Sequence, residues 1–176
     1  MLTGVHWLRV VMFGFGSLLA WIGVTLPAIG ETAAPGTPPG ISSLSYFLGT
    51  WNCQGIFPSN GKKIASTIRF AIDGASLVKH HDDLPPNLYH AIELWGYSPA
   101  DRQFNAVIED NFGGTRDFSS TGWTNNSITW TSKPQVVPRQ EFAYTKLSDA
   151  SFRLDWQVFK NGGYVVGDTL TCTRTQ

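Results

Sequence analysis

Phe152-Arg153-Leu154-Asp155-Trp156-Gln157-Val158 alternates apolar and polar side chains at every step. A period of two is the mark of a β-strand with one buried face, because successive side chains leave an extended backbone on opposite sides. Phe152, Leu154, Trp156 and Val158 are therefore expected on a core face, with Arg153, Asp155 and Gln157 on the other. Working outward from this segment, no helical period appears between residue 50 and the C-terminus. Short β-type runs recur instead, separated by turn-forming residues.

The runs fall at 50–57, 63–72, 76–82, 89–97, 104–110, 115–124, 127–132, 139–147, 152–160 and 164–174. The breaks between them read PSNG, DGA, DLPPN, SPADR, NFGG, NN, KPQVVP, SDA and NGG, all rich in residues that reverse the chain. Ahead of the first run, Ser42 or Ser43 is placed to cap a short helix with Leu44, Phe47 and Leu48 on one face, ended by Gly49. The chain has 176 residues, 42% hydrophobic and 15% charged, which suits one globular domain with a real core. The formal net charge is zero, so the total favours neither nucleic acid nor an anionic membrane surface. No phosphate-binding, dinucleotide, metalloprotease or nucleophile-elbow motif is present.

Ten sequential strands with short links predict an antiparallel up-and-down meander. Left open, it would present two unpaired edges; closing it removes both and gives a barrel wide enough to hold a ligand. The links after odd-numbered runs include the longest and the richest in Pro and Gly, so that end is expected to be the open mouth. The opposite end, near Trp51, is the base. In a closed even-stranded barrel the first and last strands are antiparallel neighbours. If Cys53 faces Cys172, Trp51 faces Arg174 in the same register. These are the chain's two cysteines, and they either close the barrel as a disulfide or pack as two buried thiols.

Gly49-Thr-Trp-Asn-Cys-Gln-Gly55, following a short helix, resembles the Gly-x-Trp opening of the lipocalin/calycin superfamily. The resemblance implies that Trp51 plugs the barrel base and meets Arg174 from the last strand. Residues 41–176 resemble more specifically an uncharacterised bacterial family with a lipocalin-like barrel. The matching segments are Leu44-Ser-Tyr-Phe-Leu-Gly-Thr-Trp51, Gly96-Tyr-Ser-Pro-Ala-Asp-Arg-Gln-Phe104 and, one residue short of the pattern, Gly122-Trp123. Nitrobindin-type haem barrels are similar more distantly. They hold iron through a histidine late in the chain, and this sequence has none after His90. No cofactor is therefore implied.

One cluster stands out for chemistry. Lys79-His80-His81-Asp82-Asp83 ends the third run and His90 opens the fourth, both at the inferred mouth. His81, His90 and Asp82 are the candidate metal ligands, since two imidazoles and a carboxylate suit Zn²⁺ with one position open. The plainer reading is a solvated hairpin tip with one packed histidine. Glu109, Asp110, Gly113, Gly114 and Arg116 lie at the same end, as a gate or as an ordinary glycine hairpin. The expected ligand-binding residues are His81, His90, Glu109, Arg116 and Trp156; Trp51, Arg174, Cys53 and Cys172 are structural. Trp95, Trp123, Trp130, Tyr89, Tyr97 and Tyr144 are divided between cavity and core in a way that alternation does not resolve. Asn125-Asn126-Ser127 is a formal glycosylation sequon.

Three functions are open at this point: a module binding a small apolar or aromatic molecule inside the barrel, an enzyme with a His/Asp site at the mouth, or a structural domain with a filled interior. A small hydrophobic molecule is the expected partner, with no nucleic acid.

The N-terminus indicates an exported protein, periplasmic or extracellular. Arg9 precedes a largely apolar, uncharged stretch over 10–29, and Ala28-Ile29-Gly30 has the form of a signal-peptidase site. Thr32-Ala33-Ala34 is a second candidate, disfavoured by Pro35. An uncleaved anchor is the alternative, since the apolar stretch is about long enough to span a bilayer. Residues 31–40 read as a Pro/Gly/Ala linker. No cysteine precedes Cys53, which excludes lipid attachment at a processed N-terminal cysteine. Cleavage after Gly30 removes one cation and no acid, leaving a net charge of −1. The mature protein is expected to begin at Glu31, and intact mass of material recovered from its host checks this; full-length mass in the membrane fraction is the contrary result.

Overall fold

The alternating runs become strands whose inward faces share one core. In the computed structural model, which describes residues 40–175, a short 3-10 helix (Ile41–Phe47) leads into eleven strands. These are β1 (Gly49–Phe57), β2 (Lys62–Asp73), β3 (Ser76–Asp83), β4 (His90–Ser98), β5 (Gln103–Asp110), β6 (Thr115–Ser120), β7 (Trp123–Thr124), β8 (Ser127–Ser132), β9 (Gln140–Ser148), β10 (Ser151–Lys160) and β11 (Gly163–Arg174). The signal peptide expected at 1–30 and nearly all of the 31–40 linker lie outside the described residues. No helix among the described residues is long and apolar enough to cross a membrane.

Ten strands form a closed antiparallel barrel. Sequential neighbours pair, β1 pairs with β11, and the ring is completed by β6 against β8 through Phe118↔Ser132 and Ser119↔Thr131. The eleventh, β7, pairs with β8 alone. The single run expected over 115–124 is thus two strands. Gly122 breaks it, adopting φ +95° with the Phe104 ring so near that an added Cβ would lie 2.9 Å from it. A side chain there is excluded both by conformation and by space.

The leading helix differs from the capped α-turn expected. Its N-cap is Gly40 without any side-chain cap, so neither Ser42 nor Ser43 serves. A 3-10 segment eclipses residues three apart, which puts Leu44 and Phe47 together on the buried side. Leu48 has already left the helix and is only partly buried.

The register of β1 against β11 matches the expectation: Trp51↔Arg174 and Cys53↔Cys172, with the two sulfurs bonded across 119 residues. Trp51 is fully buried and its indole N–H donates to Phe47 O at 2.7 Å. The Arg174 guanidinium lies 4.1 Å over the Trp51 ring and donates to the carbonyls of Tyr46 and Leu48. One cation thereby satisfies the carbonyls at the end of the helix and fixes that helix across the barrel base. Phe47 packs on Phe70, Trp95, Tyr144 and Phe152, and Trp95 packs on Trp130. The base half of the interior is filled by these rings.

Trp51→Ala is expected to cost about 3–5 kcal/mol in urea unfolding, as for other buried tryptophans. Arg174→Ala should couple to it by about 0.5–2 kcal/mol in a double-mutant cycle, and strict additivity is the result that contradicts their contact. Denatured, unreduced protein should show no labelled thiol, and reduction should cost about 2–5 kcal/mol because the bond closes so long a loop.

Candidate functional site

Above the aromatic base the interior opens into a cavity of about 510 Å³. Its upper rim is made by Pro86, Asn87 and Leu88 from the β3–β4 loop and Phe112 from the β5–β6 loop, so the odd links do form the mouth. Phe57, Ile64, Phe142, Leu154, Trp156 and Leu170 supply apolar walls. Trp156 faces the cavity in phase with Phe152 and Leu154, and a bulge on the neighbouring strand makes room for its ring. Asp168 stands opposite Trp156 and Val166 opposite Gln157, leaving Gly167 between them. A Cβ on Gly167 would lie 2.5 Å from the indole, so glycine is what lets the ring rest against β11.

Alternation along β3 turns Leu77, Lys79, His81 and Asp83 inward and leaves His80 and Asp82 outside. Along β4 it turns Ala91, Glu93 and Trp95 inward and His90 outside. Two polar groups result within the barrel. Below, Lys79 Nζ donates to Glu93 Oε1 at 2.6 Å and to the Tyr144 hydroxyl at 2.9 Å, while Trp95 donates to Glu93 Oε2 at 2.9 Å. Every member of this group is buried and hydrogen-bonded, as a charge pair in a low-dielectric interior requires. Higher up, Asp83 Oδ1 accepts from Ser66 Oγ at 2.6 Å and from His81 Nε2 at 3.1 Å. Burial holds the His81 imidazole below its usual pKa, against the opposing pull of Asp83. The ring is therefore mostly neutral at pH 7.

Across the cavity, Arg116 is the centre of a second network. It donates to Asp110 Oδ2 at 2.7 Å, Gln140 Oε1 at 2.8 Å and the Tyr89 hydroxyl at 3.1 Å. Trp156 donates to the same Gln140 oxygen at 3.1 Å. Burial raises the Tyr89 pKa, so the phenol keeps its proton and retains a donor. Arg116 Nε is buried with no partner among the described residues.

Asp168 completes the lining. Its carboxyl is pushed up to about 7, first by burial and then by the charge of Asp83, with Lys79 pulling the other way. It lies in phase with Leu170 and Cys172 on the inward face of β11. That phase is the sequence signal by which Asp168 was open to discovery, as were Lys79 beside Leu77 and Glu93 beside Trp95. None of the three was singled out beforehand as a site residue.

Of the five expected ligand-binding residues, the structure brings His81, Arg116 and Trp156 into one cavity. His90 and Glu109 are not with them. His90 is opposite Asp82 in the β3–β4 ladder, not opposite His81, and its ring hydrogen-bonds Asp82 at 3.0 Å on the outer surface. Glu109 also faces out, accepting from Thr115 at 2.7 Å. The expected metal set of His81, His90 and Asp82 is thereby corrected. A one-residue step across a strand reverses the face, so His81 points inside while the other two point outside. No group of three or more His, Cys, Asp or Glu side chains suited to a metal occurs among the described residues. Among the aromatics, Tyr89, Phe142 and Trp156 line the cavity, whereas Trp95, Trp130 and Tyr144 belong to the filled base.

No family model matches this chain, and no curated protein does. Solved structures do. The crystal structure of Rv2717c from M. tuberculosis is similar with a TM-score of 0.57 and 14% identity, over 77% of this chain and 97% of that one. At that identity the likeness concerns the barrel fold alone.

Asp168 makes a pH dependence calculable in sign. Its folded pKa lies above the unfolded value near 3.9, so ionising it in the cavity costs stability as pH rises from about 4 through 7. Asp168→Asn should unfold at higher urea than the parent at pH 8, by on the order of 1–2 kcal/mol given the open, water-accessible mouth. The gap should narrow as pH falls from about 7 and close only below about pH 4, where the carboxyl is protonated in the unfolded chain as well.

Proposed function

We propose that this chain is an exported binding barrel of lipocalin type, holding a small ligand with an apolar or aromatic body and a polar end. The observation that carries the reading is the division of the interior. The base is packed with rings, whereas the mouth half is a cavity within the roughly 300–1,000 Å³ of ordinary small-molecule sites. Apolar walls suit the ligand body, and Trp156 offers a ring face for stacking. The polar end has a specific donor to meet: the Tyr89 hydroxyl, whose own oxygen already accepts from Arg116. Export is supported by the N-terminal segment and by the Cys53–Cys172 disulfide, a bond at home outside reducing compartments.

The reading as a wholly filled structural barrel is at odds with that cavity. An enzymatic reading draws on a different observation, the neutral His81–Asp83 pair facing the same space as Asp168, whose pKa of about 7 suits proton transfer.

Mass spectrometry of small molecules released from the natively purified protein tests the binding function. One compound should be recovered in near-stoichiometric amount from the parent. Trp156→Ala should reduce its recovery about tenfold, since stacking contributes about 0.5–1.5 kcal/mol beyond area burial. Recovery of no compound, with no ligand-induced rise in melting temperature across an aromatic and aliphatic library, would contradict the reading.

A further inference from the structure

The net charge of zero conceals an uneven distribution along the barrel axis. At the mouth end, the five loops are residues 58–61, 84–89, 111–114, 133–139 and 161–162. Taken with their flanking strand residues, they carry Lys62, Lys133, Arg139 and Lys160, and Lys63 adjoins Lys62. The flanking acids are Asp83 and Asp110. Both turn inward, with Asp83 8% exposed and the Asp110 side chain 8% exposed and paired to Arg116. Asp82, Glu109 and the part-buried Glu141 each lie one step further from the mouth on the outer wall, so solvent around this end meets five cations against three carboxylates. At the base end, the loops and their flanks carry Asp73, Asp101 and Asp149 against Arg102 and the part-buried Arg174.

The same mouth loops hold apolar side chains out into solvent. Val137 is 86% exposed, Phe112 73%, Leu88 67% and Leu84 46%. None of these tips has a core to enter, since the barrel ends beneath them. Isolated exposed aliphatics are ordinary, but four on the tips of three loops around one opening form a rim. An apolar rim within a basic collar is the pattern of a surface that dips into a bilayer interface beside anionic headgroups.

We propose that the open end of this barrel docks on an anionic lipid surface. Phe112, Leu88 and Val137 enter the interface, and Lys62, Lys133, Arg139 and Lys160 pair with lipid phosphates. The occupant is set by charge complementarity. The collar is cationic, and the apolar tips are separate loop ends rather than the continuous flat face that a protein partner would bury. Docked in this way, the cavity opens toward the bilayer, so an apolar ligand passes between lipid and barrel without crossing water. Lys62, Leu88 and Phe112 also border the cavity, whereas Val137, Lys133, Arg139 and Lys160 lie outside its lining, so docking is read from its dependence on vesicle charge and ligand binding from the cavity residue Trp156.

The test uses the full chain with its disulfide closed. An environment-sensitive NBD fluorophore is placed at Phe112→Cys, or at Asp101→Cys on the base end as the control. Vesicles are phosphatidylcholine alone or with about one-third phosphatidylglycerol. The 112 probe is expected to brighten and shift to the blue with anionic vesicles only, and to lose the response at high salt. The 101 probe should stay unchanged. Combining Lys62→Gln, Lys133→Gln and Arg139→Gln should weaken vesicle affinity read at 112 on the order of a hundredfold, at roughly fivefold per cation. Attachment through residues 1–39 alone would bring the chain to vesicles without moving the 112 probe, and that result overturns the proposal. An equal response at both probes, an equal response with neutral vesicles, or a concentration-dependent response at 112 without lipid also overturns it. The last would make the rim a contact between copies.

Discussion

The pairing of β1 with β11 brings together segments at the two ends of the domain, and the organisation of the interior follows from it. One register seats Arg174 over Trp51 and joins Cys53 to Cys172. Arg174 then holds the carbonyls at the end of the leading helix, which locks Phe47 into the base. A slip of one residue would turn every inward side chain of β11 outward, including Asp168, Leu170 and Cys172. Ring closure and the composition of the cavity wall therefore have one cause.

Along the axis the interior changes character. Large rings fill the narrow base, and the mouth half is lined by smaller apolar groups together with polar ones. The Lys79–Glu93 pair lies between the two regions. Its partners Tyr144 and Trp95 come from the aromatic base, so the pair is satisfied entirely by side chains within the barrel. Removing one member would leave a buried charge unmatched, which accounts for the density of hydrogen bonds around it. Higher up, Asp168 faces the open cavity with a raised carboxyl pKa. Buried donors without a partner among the described residues occur in both regions, Arg116 Nε above and Trp130 Nε1 in the base.

Much of this was legible in the residues. Alternation and turn chemistry were enough for an antiparallel meander. The need to remove sheet edges was enough for closure, and the cysteine and Trp51/Arg174 positions were enough for the register of the closing strands. The break at Gly122 was not apparent, because it depends on the Phe104 ring of a neighbouring strand. Of the site, His81 and Arg116 were legible because each lies near the mouth end of its strand, and Trp156 because it alternates in phase with Phe152 and Leu154. His90 and Glu109 lie equally near it, and only the phase of the ladder sends them outside. The total charge is an average over the chain and does not report the cations around the mouth loops.

What the sequence by itself determined was local: which segments are extended, where they turn, and which face of a well-alternating strand is apolar. Those depend on backbone conformation and the hydrophobic effect acting over a few residues. What only the tertiary structure decided was convergence. Lys79 meets Tyr144 across 65 positions, and the burial that raises the Asp168 pKa comes from strands distant in the chain. The bulge at Gly167 is set by the fit of the Trp156 ring against the neighbouring strand. Such contacts depend on barrel closure, which places side chains from opposite walls in one small volume, and no spacing along the chain encodes that distance.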